Sequence, residues 1–461
     1  MTQQVFGQEF KISKALITAE RLGDEYDLKQ MIGEVSFFED LEKSYVTAQL
    51  VIIDDAGTFN EMKIKGSEQI EITIEGVEQE FIGTSFTHKF NIVSIIQVQK
   101  GGERSEIYHL NCISPHAYRD QGIKISRSYT GKIEDICEAV LDNHLDTDLN
   151  MLDFTGNEPT RQDPIRIITP YISPLETVEW LIDRASTAIG APYYVYCTLY
   201  DQVDGVDKLR LGDLEYMLNK TPFNASSPLL YSQSRGQEVA GKSLKEQAVI
   251  VKDFSVENVQ DQMKMMQEGA VGAMMSSYDV FTSQRYSRHF KVSDLLEKMK
   301  GAGMMHSREQ NVFDTEQTLE FEGDTKKSDE WDHRYFNTIT SFGTYGSVNS
   351  YHDVFDQSQA LNKLRTGSIK SMLNKNMIDV TLPGVLFFAL LVKQKSAATI
   401  GDLVDIEFQN TNVEDPRTDE TANKELSGTY LIHKVRNVFT STRHDVVLSV
   451  SKVAEGKPEL T

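Results

Sequence analysis

Cysteine is scarce in this chain: Cys112, Cys137 and Cys197 are the only three among 461 residues. An odd, widely spaced set builds neither a disulfide framework nor a cysteine-rich zinc site, so these thiols are expected to be small buried hydrophobes. Long apolar runs are missing too. The longest, Val385 to Val392, is far short of the roughly 20 residues a spanning helix needs, so no membrane insertion is expected. Met1-Thr-Gln-Gln-Val-Phe-Gly-Gln has no basic region and no apolar stretch, and does not read as a secretory signal. Positive charge is outnumbered, with 47 Lys and Arg against 69 Asp and Glu, for a formal net charge of −22. That balance opposes specific nucleic-acid binding and adhesion to anionic membranes, both of which draw on Lys and Arg clusters. The acidity serves solubility, or it lines a surface that repels a passing polyanion. Composition leaves both open.

The motifs of catalysis are missing as well. None of the ten histidines lies in His-Glu-x-x-His, and no Cys/His spacing fits zinc. There is no Gly-x-Ser-x-Gly elbow and no dinucleotide-binding glycine signature. Acid pairs are too abundant for a glycosidase dyad to stand out. The acidic insert from Asn410 to Lys424 lacks the spaced pattern of a calcium loop and reads as a solvated hairpin loop. His433 lies in a strand pattern and reads as a satisfied or half-exposed sheet residue rather than a ligand. The chain is therefore expected not to be an enzyme, with no catalytic, cofactor-binding or metal site and no cofactor.

What the sequence does contain is strand. Met31 to Phe38, Tyr45 to Ile53, Gln69 to Ile74, Phe90 to Val98 and Ile107 to Ile113 are β-rich runs separated by turn chemistry. So many short strands without a long helix predict a barrel or sandwich. Thr130-Gly131 then opens a helix with Ile133, Ile136, Cys137, Val140 and Leu141 on one face. Ser173-Pro174-Leu175-Glu176 is a capping box with proline at the first helical position. Its apolar stripe runs through Val178, Leu181, Ile182, Ala185 and Ile189, and Gly190 is expected to end it. Tyr193 to Leu199, an Asp204-Gly205 turn and Leu209 to Leu211 follow as a hairpin, so a helix lies on a hairpin.

Gly212 to Glu246 is polar and reads as a connection, before a strand at Ala248 to Val256 and a Met- and Gly-rich piece. Ser277 to Tyr286 and a short helix near Ser293 to Met299 follow, and His306 to Arg334 is polar and charged. A helix over 356–376 precedes strands at Ile378 to Leu382, Val385 to Val392, Leu403 to Phe408, Tyr430 to Val438 and Asp445 to Val450. The two β regions share an order of elements. Gly66-Ser-Glu-Gln-Ile-Glu-Ile-Thr-Ile matches Gly401-Asp-Leu-Val-Asp-Ile-Glu-Phe, and Phe90-Asn-Ile-Val-Ser-Ile matches Tyr430-Leu-Ile-His-Lys-Val. Ile107-Tyr-His-Leu-Asn-Cys-Ile-Ser then corresponds to Asp445-Val-Val-Leu-Ser-Val-Ser.

The order of these pieces resembles baseplate hub proteins of contractile-tailed phages and the hub half of type VI secretion spike proteins. The likeness is carried by Ile168-Thr-Pro-Tyr-Ile-Ser-Pro-Leu-Glu-Thr-Val-Glu-Trp-Leu, by Gly190-Ala-Pro-Tyr-Tyr-Val-Tyr, by Leu209-Arg-Leu-Gly-Asp213 and by Ser427-Gly-Thr-Tyr-Leu-Ile-His-Lys-Val. It implies a mainly β chain with α+β: two tail-tube-like β-barrels, a helix-on-hairpin module between them, and an arm inserted in the second barrel. The corresponding domains are 1–124 for the first barrel, 125–240 for the α+β module, 241–262 with 352–461 for the second barrel, and 263–351 for the inserted arm or a small domain. It implies a structural homotrimer that presents six barrels to a sixfold tail tube, joins it to a threefold central spike and leaves a channel for cargo. Implied partners are a second and third copy, a separate spike chain, a tail tube or tube-initiator protein, and wedge and tape-measure proteins. The implied location is the virion baseplate, assembled in the host cytoplasm. The rival expectation is a receptor- or glycan-binding tail protein, carbohydrate-active or not.

Overall fold

The computed structural model describes residues 10–18, 25–55, 62–76, 85–100, 105–153, 165–187, 189–199, 202–203, 206–225, 228–231, 249–256, 272–279, 283–291, 318–321, 324–327, 334–340, 357–374, 377–384, 399–409, 426–440 and 443–455, with 23, 57, 294 and 423 between them. The fold is mainly β, and 13 strands join one sheet.

The first β region holds β1 (Phe10–Thr18), β2 (Tyr26–Asp27), β3 (Ile32–Asp40), β4 (Thr47–Asp54), β5 (Gln69–Gly76), β6 (Ser85–Lys100) and β7 (Glu106–Ile113). The five expected strands form, and β1 and β2 precede them. Neighbours run β3-β4-β7-β6-β5-β1-β2, antiparallel throughout. Alternation decides the faces: Ile70, Ile72 and Ile74 of β5 are buried, while Glu71 and Glu75 face outward to Lys14 and Lys11.

The middle of the chain holds α1 (Pro115–Asp120), β8 (Ser128–Gly131), α2 (Ile133–Leu145), β9 (Leu149–Asp153), β10 (Ile165–Ile168) and α3 (Pro174–Ile182). The capping box closes as the sequence predicts: Glu176 N donates to Ser173 Oγ at 3.3 Å, and Ser173 N donates to Glu176 Oε2 at 3.1 Å. Leu181 and Ile182 are buried and α2 packs on α3. The helix stops at Ile182, eight residues before the expected Gly190. Beyond it Ser186 Oγ donates to Asn362 and Ala191 N donates to Thr187 Oγ1, bonds that turn the chain toward its next strand.

Next come β11 (Tyr193–Tyr196), β12 (Gln202–Val203), β13 (Val206–Asp207), β14 (Leu209–Asp213), α4 (Leu214–Asn219) and β15 (Leu229–Tyr231). β11 and β14 form the expected hairpin, but β9 joins β14 in parallel, so the helix lies on a three-stranded sheet. The stretch expected as a bare connection contains α4, capped where Asp213 Oδ1 accepts from Tyr216 N at 2.6 Å. It also contains β15.

Downstream are β16 (Asp253–Val256), β17 (Gly272–Asp279), β18 (Gln284–Lys291), β19 (Thr318–Phe321), β20 (Asp324–Lys327), β21 (Arg334–Thr340) and α5 (Gln357–Leu373). β17 and β18 pair antiparallel, and β21 joins β17 in parallel. The last strands are β22 (Met377–Pro383), β23 (Leu403–Phe408), β24 (Gly428–Thr440) and β25 (His444–Glu455). The expected strand at Val385 to Val392, nearly all of the short helix near 293–299 and nearly all of the acidic insert lie outside the described residues.

Two cores result. One gathers Val35, Phe37, Ile70, Phe90 and the α2–α3 stripe; the other gathers Val380, Val404, Ile406, Tyr430 and Val446. β11 stands between them. Tyr193 and Val195 enter the first core, and Tyr194 and Tyr196 the second.

Candidate functional site

The internal repeat is a structural one, and it extends to five strands. β3-β4-β7-β6-β5 in the first unit matches β16-β22-β25-β24-β23 in the second, neighbour for neighbour. The registers match too: Gln69 faces Asn91 and Ile70 faces Phe90, as Leu403 faces Leu431 and Val404 faces Tyr430. Each long strand carries a β-bulge at the same place, between Ile92 and Ser94 in β6 and between Ile432 and Lys434 in β24.

The turn before each unit's alternating strand is built alike. Gly66 has φ +90° and Gly401 φ +83°, a left-handed conformation open to glycine. A carboxylate then gathers nearby backbone N–H groups. Glu68 accepts from Lys65, Gly66 and Ser67 at 2.9, 2.9 and 3.0 Å, and Asp402 accepts from Thr399 at 3.2 Å. From the same two residues, Glu68 O receives Ile92 N at 2.8 Å and Asp402 O receives Ile432 N at 3.0 Å.

The units meet edge to edge. Past its bulge, β24 leaves β23 and pairs Lys434–Thr440 with Asp40–Glu34 of β3, antiparallel. The junction is laced by charge: Arg436 lies 3.6 Å from Glu34 and Lys434 3.8 Å from Asp40. Arg436 also sits over the Phe38 ring at 5.2 Å. These pairs are partly exposed, so they set register more than they add stability. Phe439 carries the first core across the seam, in contact with Phe10 and Phe37 and stacked on His444 at 4.0 Å.

His433 occupies the bulge of β24. It is buried, its Nε2 shares a 2.7 Å hydrogen bond with Ser451 Oγ, and desolvation followed by the Lys434 charge lowers its pKa to about 4. It is the satisfied sheet residue that its strand position predicts. Its carbonyl accepts from Leu41 N at 2.8 Å, so the first unit covers this bulge.

A buried polar node ties the module to the first unit. Asp207 of β13 faces His116 Nδ1 at 2.8 Å and His88 Nε2 at 3.3 Å, and Gln202 Nε2 donates to it at 2.8 Å. His116 Nε2 lies 2.8 Å from Ser44 O, and His88 Nδ1 lies 3.2 Å from Leu199 O. Burial alone would raise the Asp207 pKa, but the two histidines outweigh it and hold the carboxyl well below the usual range. Sequence reasoning passed over this node because its members are 91 and 119 positions apart. Burial and the hydrogen bonds of His116 and Gln202 to Asp207 make it a structural tie, with His88 Nε2 at ion-pair distance but not hydrogen-bonded. Among the described residues no group of three or more His, Cys, Asp or Glu is placed to hold a metal ion.

No family model matches the chain, and no curated protein matches it. Solved structures with a similar fold are tail proteins and type VI secretion proteins. The 43 kDa tail protein of prophage MuSo2 from Shewanella oneidensis shares 11% identity over 95% of this chain and 98% of its own, with a TM-score of 0.49. A tail protein from Neisseria meningitidis shares 10% over 96% and 97%, also at 0.49. An Escherichia coli type VI secretion component, described as similar to phage T4 tail proteins, shares 9% over 98% and 80%, at 0.36.

Proposed function

We propose that the chain is a structural hub of a contractile tail, in which three copies form a ring between the sixfold tail tube and the threefold central spike. The observation that carries this reading is the five-strand unit present twice in one chain and joined edge to edge. Two units per chain make six per trimer, the number needed to match a sixfold tube with a threefold assembly. A head-to-tail contact of this kind closes into a ring when its rotation allows. The units correspond to tube-like barrels within 1–124 and within 241–262 plus 352–461, with the α+β module at 125–240 and the arm at 263–351. The spike, the tube or its initiator, and wedge and tape-measure proteins are the proposed neighbours, in a virion baseplate assembled in the host cytoplasm. The role is mechanical and not enzymatic.

The ring leaves a channel, and we place part of the chain's acidic excess on its wall. A duplex carries one negative charge per about 1.7 Å, so basic walls would hold it and acidic walls would let it slide. A map of the assembled ring with a wall of Lys and Arg would remove this element. The hub role itself is tested by light scattering of the full chain, alone and with its spike chain. Three copies are expected, at once or on meeting the spike. A single copy under both conditions would favour the receptor- or glycan-binding reading, which requires no self-docking.

A further inference from the structure

The β24–β3 junction uses one half of each unit and leaves the other halves open. The counterpart of Lys434–Phe439 in the first unit is the end of β6, Ser94–Lys100, which holds one extra residue at a second bulge between Ile95 and Gln97. It pairs with β7 on one side, and among the described strands nothing pairs with it on the other. The counterpart of β3 in the second unit is β16, which pairs with β22 and likewise has one open side among the described strands. Both open edges are apolar where the closed junction is covered. Val93 is 49% exposed and Ile95 37%, whereas His433 and Val435 at the matching positions are 3% and 2% exposed. Val256 is 44% exposed, whereas its match Phe37 is fully buried. Edge strands that stay free are usually blunted by charge or proline, and these apolar positions are not.

We infer that the end of β6 in one copy pairs antiparallel with β16 of the next copy, in the register of the β24–β3 junction. Asn437 faces Phe37, Val438 faces Ser36 and Phe439 faces Val35 within the chain. Carried through the matched ladders, Val98 faces Val256, Gln99 faces Ser255 and Lys100 faces Phe254 of the second copy. The occupant is this chain itself because the complementary surface is already seen docked once within it. The number of copies rests on the hub reading; the pairing and its register do not.

Cysteine cross-linking tests the register, since the native thiols are buried. The V98C/V256C chain, oxidised alone and with the spike chain, is expected to form covalent multimers ending at three copies. Either single variant alone is expected to stay uncross-linked, and an equal mixture of the two singles to give covalent dimers. I95C/V256C, two ladder positions out of register because β6 bulges between Ile95 and Gln97, is expected to cross-link at least tenfold less. The exposed-edge variants I95K and V256K are expected to weaken assembly at least tenfold while the chain's own melting temperature is unchanged. A three-copy particle without the V98C/V256C cross-link would overturn the pairing and leave the hub reading standing. Cross-linking of V98C with itself would overturn the head-to-tail geometry. A chain that remains single with and without the spike would overturn both.

Discussion

The two five-strand units have the same register, the same bulge and the same turn, yet they do not have the same surroundings. The second unit's long strand is covered past its bulge by β3, and the first unit's matching segment faces outward. The strand flanking each unit differs too. β1 pairs antiparallel with β5, whereas β15 pairs in parallel with β23. Backbone geometry is thus set locally, by glycine, carboxylate and bulge, while burial is set by what docks on the finished sheet. A unit can be repeated faithfully and still offer a different edge to its neighbours.

The first core breaks hardest. Leu181 is 1% exposed under the β11 sheet, and Leu181→Ala should cost about 2–5 kcal/mol through the cavity it leaves. Urea or thermal unfolding checks this, and an unchanged transition would contradict the packing of α3.

In the second core the vulnerable position is backbone. A Cβ at Gly428 would lie 2.2 Å from the Ala454 carbonyl oxygen, beside a bulge in β24. The matching residue in the first unit, His88, has room for a ring. Gly428→Ala should therefore cost about 2–3 kcal/mol, although alanine is ordinarily tolerated in a strand. A neutral effect would show that the two ladders do not differ there.

Val435→Ala and Ile95→Ala sharpen the comparison directly, being matched residues in unlike surroundings. The first should cost about 1–2 kcal/mol and the second less than about 0.5 kcal/mol in the single chain. Equal costs in unfolding experiments would mean that the end of β6 is already covered.

Acid should separate the cores by smaller amounts. Burial lowers His433 to about 4 and His444 to about 3, so both stay neutral in the fold while the unfolded chain takes up protons below about 6.5. That contribution is complete above about pH 6.5 and is lost as pH falls toward 4. Asp207 is depressed instead, so its contribution is complete above the unfolded value of about 3.9 and is lost only below it. Melting temperature against pH should therefore be flatter between 6.5 and 4 for His433→Gln, and flatter below 4 for Asp207→Asn. Interchanged windows would contradict the protonation states assigned to these groups.

Much of this was legible before any coordinates. Strong alternation located β4, β5 and β7 to within a residue or two, and the capping box placed the start of α3 at Pro174. The strand at Tyr193 to Leu199 was visible, although only packing reveals that both faces of β11 are buried. The end of α3 was not legible, because Ser186 and Thr187 are claimed by partners outside the helix. α4 was overlooked although Asp213-Leu-Glu-Tyr is a fair capping signal, since the polar stretch after it dominates its surroundings. The three-part repeat could be read from glycine and strand pattern. Its extension to β3 and β16 rested on the resemblance, which placed 241–262 in the second barrel, because Val35 and Phe37 correspond to Phe254 and Val256 by ladder position and not by sequence likeness. Open and closed edges look alike in a sequence.

Amide hydrogen exchange on the wild-type chain, in the assembled particle and after dilution to single copies, tests the central claim most directly. Residues 434–440 should be protected in both states, and those amides of residues 94–100 that do not bond to β7 protected only in the particle. Rapid exchange of residues 94–100 within an intact three-copy particle would contradict the account.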